Sequence, residues 1–392
     1  MKQVMHQGSA RRVAAIAGTL LLALQSWTPS SAGPREQARR IHDRLAGVPP
    51  TDAVLTQMAS DITGGQADAA AQLAMTNKNF YNVTLKNFVA PWTNRDRTVF
   101  VPLNDYTATV IGMVRDDVDF STLLSADLLY VSNASGAPAY SASNNDHYQY
   151  LDDNNVDLKA TLQPATQSGL LGLPVAATAG IMTTHAAAQA FFINGTNRAM
   201  FRFTMINHMC RDLEQLQDSS LPPDRIRQDV SRSPGGDSRV FLNSCITCHA
   251  GMDPLAQSFA YYNFDSTTNT LQYTDATVQP KYLINSDNFK TGYVTTDDHW
   301  DNRYRQGANQ VLGFDAALPG TGTGAKSMGS ELAHSDGFAQ CQVEKVFRAV
   351  CLRDPGNAAD RASVQTIKTK FKTNGYKMKQ VFADAAIYCM GN

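Results

Sequence analysis

The chain has 392 residues, of which 43% are hydrophobic and 18% are charged, and its mean hydropathy is −0.29. These values exclude a disordered chain and a membrane-spanning bundle, and the length predicts two or three domains. The 34 Lys and Arg residues nearly balance the 35 Asp and Glu residues. Because positive charge is not in excess, nucleic acid is not an expected partner.

The first 32 residues are typical of an export signal. A positive start is formed by Lys2, Arg11 and Arg12. Residues 13–24 are apolar, and small residues at 30–32 offer a cleavage site. An apolar run of about a dozen residues is shorter than the roughly 20 that span a bilayer, which favours cleavage over an uncleaved anchor. We therefore expect a periplasmic or otherwise exported chain that begins near Gly33 and has no membrane span.

Turn segments rich in proline and glycine divide the mature chain into four stretches. These are an N-terminal helical unit over 33–94, a helical middle region over 95–220, a region with a cysteine motif over 221–336, and a C-terminal helical module over 337–392. Residues 132–155, rich in Ser, Asn, Ala and Asp, predict a loop.

Apolar residues at helical spacing predict further helices. The segments concerned are 170–188, 199–209, 337–353, 361–372 and 378–389. The sequence thus predicts a mainly α, multi-helical fold with irregular loops and minor β structure.

The strongest chemical signal is the pentapeptide Cys245-Ile246-Thr247-Cys248-His249. C-x-x-C-H is the attachment sequence of a c-type haem. In such a site two thiols bond to the haem vinyl groups, and the histidine binds the iron as proximal ligand. The motif therefore predicts one covalent haem c, with Cys245 and Cys248 as anchors and His249 as axial ligand.

Three other interpretations of this motif were weighed, namely a local disulfide, a redox dithiol and half of a zinc site. A thioredoxin-like dithiol would need a βαβ context, and the residues around Asn243 show none. A zinc site would need a second ligand pair, but Cys341 and Cys351 are ten residues apart with no histidine pair nearby. Haem is therefore the favoured interpretation.

The motif continues into a longer pattern that resembles a family of exported haem-c proteins found in planctomycetes and proteobacteria. Residues 245–256 read CITCHAGMDPLA and residues 259–265 read FAYYNFD, similar to that family's C-x-x-C-H-x-x-M-D-P-L-G-x-A-L-E-x-F-D block. Residues 44–51, RLAGVPPT, resemble its R-L-x-G-x-x-P-T opening. The chain departs from the family at Ala256, where glycine is usual, and is two residues longer before Phe264.

The resemblance implies a mainly helical protein with a cytochrome c-like haem segment, and a role in electron transfer with a redox partner protein. Our first hypothesis is therefore a mono-haem c-type cytochrome that transfers single electrons. About 360 mature residues are many for one haem, which motivates two alternatives. One is a haem-dependent peroxidase or oxygenase with an open distal site, and the other is a binding protein whose haem is structural.

The second axial ligand would distinguish these hypotheses, because electron transfer favours a Met or His ligand and catalysis an open position. Met328 is the preferred candidate, in a glycine-flanked segment predicted to be a flexible loop. Weaker candidates are His185, His208, Met209 and His334. Met252 is disfavoured, because it lies three residues after His249 on the proximal side.

Four cysteines lie outside the motif. Within one helix over 337–353, Cys341 and Cys351 would be about 15 Å apart, which is too far for a disulfide. Of the two complete pairings that remain, we favour Cys351 with Cys389 and Cys210 with Cys341, and free buried thiols are the alternative.

Overall fold

A computed structural model describes residues 32–193, 195–283 and 286–391. Residues 1–31 of the predicted export signal lie outside these ranges. The described chain is mainly α-helical with three small sheets, which confirms the prediction of a mainly α fold with minor β structure.

Sixteen α-helices are present in the described residues: α1 (Pro34–Ala46), α2 (Asp52–Thr63), α3 (Ala67–Ala74), α4 (Lys86–Val89), α5 (Asp105–Arg115), α6 (Asp146–Asp153), α7 (Leu158–Thr161), α8 (Gln167–Leu171), α9 (His185–Phe191), α10 (Arg198–Thr204), α11 (Ser238–Val240), α12 (Ile246–Ala256), α13 (Gly324–Ala333), α14 (Asp336–Cys351), α15 (Ala358–Thr373) and α16 (Met378–Tyr388).

Six short strands form three antiparallel pairs, β1–β2, β3–β4 and β5–β6. Their bounds are β1 (Leu129–Ser132), β2 (Leu162–Ala165), β3 (Tyr262–Asp265), β4 (Thr270–Tyr273), β5 (His299–Asp301) and β6 (Thr321–Thr323). Three π-helical segments occur at Phe80–Leu85, Met205–Met209 and Phe241–Cys245.

The last three helices lie where the sequence predicts them. Helix α14 begins after Ser335, whose hydroxyl accepts a hydrogen bond from the Phe338 amide at 3.0 Å. Helix α15 begins with a reciprocal capping box between Asn357 and Asp360. Such side chains satisfy amides that have no partner inside the helix, and so mark its first residue.

Two predictions about local structure are wrong. Residues 132–155 are not only a loop, because they contain α6, whose Tyr148 and Leu151 are buried in the core among polar neighbours. Residues 170–188 are not one helix. Gly172 ends α8 in a left-handed conformation, and two short 3-10 turns follow Pro174 before α9 begins.

One apolar core includes side chains from all four predicted stretches, for example Ala38, Val110, Leu255 and Phe347. Helix α14 packs against α15, α16 and the π-helical segment Met205–Met209. Burial of this apolar surface is the main stabilising contribution to the fold.

Two disulfides tie the C-terminal helices to the rest of the chain. Cys210 pairs with Cys341 and Cys351 pairs with Cys389, with Cα–Cα distances of 5.3 and 5.5 Å. They match the two pairings favoured from the sequence. The first joins the end of the segment Met205–Met209 to α14, and the second joins the ends of α14 and α16.

The two ends of the described chain meet. Helix α1 packs against α16, and its Arg40 and Gln37 donate to the carbonyls of Met390 at 3.1 Å and Gly391 at 2.6 Å. Among the helices of residues 32–193, 195–283 and 286–391, none has the length and apolar character needed to cross a bilayer.

Candidate functional site

The cysteine motif spans a junction between two kinds of helix. Cys245 ends the π-helical segment Phe241–Cys245, and Cys248 and His249 lie in the first turns of α12. Residues three and four positions apart share one face of a helix. The local fold therefore places both thiols and the imidazole on the same side of the chain.

The two thiols of the motif are the cysteines left outside the disulfides, and both are partly exposed. Cys248 lies against the chain before the motif, with its Sγ 3.5 Å from the carbonyl oxygen of Leu213. Burial raises the pKa of the Cys248 thiol. Cys245 packs against a small separate apolar cluster that includes Phe241 and Ile226.

The imidazole of His249 is held by a carboxylate one turn further along α12. Its Nδ1 is 3.2 Å from both carboxylate oxygens of Asp253. The side chain of Asp253 is fully buried, whereas that of His249 keeps 19% exposure. Phe241 lies beside the imidazole, with 6.0 Å between the two ring centroids.

Asp253 belongs to a buried network of two arginines and two aspartates. Arg198 donates to its two oxygens, at 2.8 Å from Nε and 3.1 Å from Nη2, and also bonds to Asp229. Arg227 contributes its backbone amide, at 3.3 Å from Asp253, and its guanidinium bonds to Asp229. The formal charges cancel, which is the condition under which such groups tolerate burial.

This network places an ionised carboxylate against one nitrogen of the imidazole. Burial by itself would raise the pKa of Asp253, but the charge of Arg198 and the hydrogen bond from His249 outweigh it and hold that pKa well below its usual range. An ionised carboxylate only accepts hydrogen bonds, so Nδ1 of His249 carries the proton. The lone pair of a neutral imidazole is then on Nε2, which has no hydrogen bond among the described residues.

A tyrosine packs against α12 close to the motif. A Cβ atom at Gly251 would lie 2.3 Å from Cε1 of Tyr304, so this close approach requires glycine. Tyr304 is fully buried, and its hydroxyl has no hydrogen-bond partner in the described residues. Burial, and then the nearby Cys248 and Asp253, raise the pKa of Tyr304, so its hydroxyl stays protonated beside the motif.

Met328 does not lie in a flexible loop, and that prediction is wrong. The residue is in α13, and its side chain is completely buried in the main core. The glycines that suggested a loop are part of this helix: Gly324 begins it, and Gly329 allows its close approach to the carbonyl of Leu124.

The other candidate ligands outside α12 make their contacts away from the motif. Nε2 of His208 lies 2.9 Å from the hydroxyl of Tyr106, and Nε2 of His185 lies 2.9 Å from the carbonyl of Asn269. Further contacts are His334 Nδ1 to the Ser330 carbonyl, and the Met209 sulfur to the Ser335 hydroxyl. Met252 is buried in α12. The structure thus brings together Cys245, Cys248 and His249 from the predicted set.

Two features of the chain fit a c-type haem. The thiols are outside the disulfides and reach the surface. The histidine has one nitrogen bound to a carboxylate, and its Nε2 has no partner in the part of the chain that the structure describes. Metal-binding histidines generally donate their second N–H to such a partner. In the described part of the chain, no three His, Cys, Asp or Glu side chains are grouped to hold a metal ion by themselves. Comparison of the chain with protein-family models, curated proteins and solved structures found no match.

Reasoning from the sequence missed three residues of this site. Asp253 could have been assigned from its position, because i and i+4 residues are neighbours on a helix. Arg198 and Tyr304 give no local signal, because each lies about 50 residues from the motif and reaches it only through tertiary packing.

Proposed function

We propose that this chain is an exported mono-haem c-type protein that transfers single electrons to and from a redox partner protein. The observation that carries the proposal is the arrangement of Cys245, Cys248 and His249 on one helical face, with the imidazole fixed by Asp253. A haem bound there would supply a one-electron iron couple.

Each residue of the motif has a distinct task in this proposal. The S–H groups of Cys245 and Cys248 would each add across a vinyl group, so that sulfur forms a C–S bond and the hydrogen goes to the neighbouring carbon. His249 would donate the Nε2 lone pair to iron. Asp253 keeps the proton on Nδ1 and fixes the ring plane, and the negative charge makes the imidazole a stronger donor.

An optical spectrum of the exported protein, oxidised and reduced, tests the proposal together with a pyridine haemochrome assay and addition of carbon monoxide. We expect covalent haem, and a spectrum that does not change with carbon monoxide would support electron transfer, because a filled sixth position excludes that ligand. A carbon monoxide complex would favour the peroxidase or oxygenase alternative. Absence of haem would overturn the proposal and return Cys245 and Cys248 to a disulfide or metal role.

A pair of histidine variants tests the ligand assignment. His249→Ala is expected to lose the native haem spectrum, because the Nε2 donor is gone. His334→Ala is the matched control, since His334 bonds through Nδ1 to the Ser330 carbonyl, and it is expected to keep the spectrum. A native spectrum in His249→Ala would refute the assignment.

A further inference from the structure

A cavity of about 540 Å³ lies between α4, the chain that follows the π-helical segment Met205–Met209, and α14. Its apolar wall is formed by Trp92 and Phe88, whose rings pack edge to face with 4.9 Å between their centroids. Trp92 is 4% exposed. The volume is in the range of sites that hold small organic molecules.

The polar lining of this cavity is strongly positive. Four cationic side chains line it, namely Lys345, Arg97, Arg211 and Arg348. The carboxylate in the lining, Asp212, is already neutralised by Arg202, with two bonds of 2.7 Å.

Three of the four cations have no carboxylate partner within the described residues. Arg348 bonds to Asp354 at 2.6 Å, whereas Lys345, Arg97 and Arg211 form no salt bridge there. Unpaired positive charge around a partly enclosed volume raises the local concentration of anions. The cavity therefore offers charge that the protein itself does not compensate.

Lys345 is the cation closest to the apolar wall. Its Nζ lies 3.4 Å from the centroid of the Trp92 ring and donates to the Asn207 carbonyl at 2.6 Å. Burial, and then the positive charges of Arg348 and Arg97, lower the pKa of Lys345 well below its ordinary value. An anion bound beside Nζ would oppose both effects and favour the ammonium form, which has three N–H donors and gives one of them to Asn207.

We propose that this cavity binds a small organic carboxylate with a flat apolar body. The acidic group would be held by Lys345 and the surrounding arginines, and the flat body would lie against the partly exposed ring of Phe88. Guanidinium groups match carboxylates in geometry, and an aromatic wall favours a planar partner. The site does not depend on the proposed haem.

The haem itself is a second source of the same chemistry, because its propionates are carboxylates. The cavity includes Asp212, next to Leu213, whose carbonyl contacts Cys248. A test of the proposal must therefore separate a free carboxylate from the propionates of an attached haem.

Isothermal titration calorimetry of the full mature protein with 2-naphthoate tests the site, and the neutral 2-naphthamide is the comparison ligand. Naphthoate is expected to bind at least tenfold more tightly than naphthamide. Lys345→Met keeps the apolar stem and removes the charge, and it should weaken naphthoate about tenfold. Lys159→Met is the control. Lys159 also donates to a backbone carbonyl, that of Thr76 at 2.8 Å, but it lies outside the cavity.

Three outcomes would each overturn the proposal. These are equal affinity for the two ligands, no binding of naphthoate, and equal effects of the two lysine variants on naphthoate binding. If Lys345→Met fails to fold, the exposed pair Arg97→Gln and Arg211→Gln replaces it, with the same expected loss. The variant Cys245→Ala/Cys248→Ala, which cannot hold covalent haem, should bind naphthoate as the parent does. Binding seen in that variant alone would assign the cations to the propionates and also overturn the proposal.

Discussion

The carboxylate of Asp253 has two roles that single substitutions can separate. It accepts the Nδ1 proton of His249, and it balances the charge of Arg198 and Arg227 in a buried network. The first role concerns the electron density of the imidazole, and the second concerns stability. Asparagine at position 253 should impair both roles, whereas asparagine at position 229 should affect stability alone.

We expect Asp253→Asn to raise the midpoint potential of the proposed haem, because a neutral partner makes His249 a weaker donor and stabilises oxidised iron less. The free energy of unfolding should fall by about 3–5 kcal/mol, since an arginine loses its buried partner. Redox titration and chemical denaturation measure the two effects.

Asp229→Asn is the matched control for this substitution. It removes a charge from the same network but leaves the bond between His249 and Asp253 in place. We expect a similar loss of stability with a much smaller rise of potential. Equal shifts of potential in the two variants would show that the hydrogen bond to His249 has no special effect.

Asp298 gives a pH-dependent prediction. Its side chain is largely buried next to Asp297, and burial followed by this like charge raises the pKa of Asp298 to about 6. Between about pH 4 and 6 the folded protein therefore binds more protons than the unfolded chain, so this residue's contribution to stability falls as the pH rises.

Asp298→Asn should remove this decrease in stability with rising pH. At pH 7 we expect the variant to be more stable by about 1 kcal/mol, a value reduced from the full pKa shift because part of the carboxylate reaches solvent. Denaturation of both proteins at pH 4.5 and pH 7 measures the difference. If the free energy of unfolding changes between pH 4.5 and pH 7 by the same amount in the variant and in the parent, the assigned cause is contradicted.

At the scale of elements, local signals in the sequence predicted the structure well where they act within one helix. The periodicity of residues 337–353 and the pattern of 378–389 identified α14 and α16. The C-x-x-C-H spacing predicted which three residues form the motif, but not that the motif spans the end of a π-helical segment and the start of α12. Helical periodicity failed at 170–188, because Gly172 and Pro174 interrupt the backbone in a largely apolar stretch.

The rest of the site could not be predicted, because it depends on contacts between distant elements. Arg198 on α10 reaches Asp253 on α12, and Tyr304 packs against Gly251 from a later turn. Met328 was predicted to lie in a loop but lies in a helix. Glycines around it were interpreted as flexibility, but one of them serves close packing of α13 instead.

The two disulfides are expected to contribute unequally to stability. Cys210–Cys341 closes a loop with a sequence separation of 131, and Cys351–Cys389 one of 38. Because longer loops lose more entropy when closed, Cys210→Ser/Cys341→Ser should lower the free energy of unfolding by about 4–5 kcal/mol, and Cys351→Ser/Cys389→Ser by about 3–4 kcal/mol. Urea denaturation of both double variants measures the order, and a reversed order would contradict the loop-length argument.

At the scale of the whole molecule, the shared core predicts cooperative unfolding. The core draws on every stretch from α1 to α16, and α1 packs directly on α16. We expect a single thermal transition of the mature protein, with coincident changes in helical circular dichroism and haem absorbance. Two separated transitions would show that one stretch folds independently of the others.

The position of the Cys210–Cys341 disulfide has a consequence for how the protein is assembled. Residues 245–249 lie inside the loop that this bond closes, and once α12 is packed, Asp253 and Gly251 are sealed against Arg198 and Tyr304. If haem is attached as proposed, its addition to the open chain would come before this loop is closed and α12 is packed. Biogenesis would then be ordered in time, with attachment first and oxidation of the four remaining thiols afterwards.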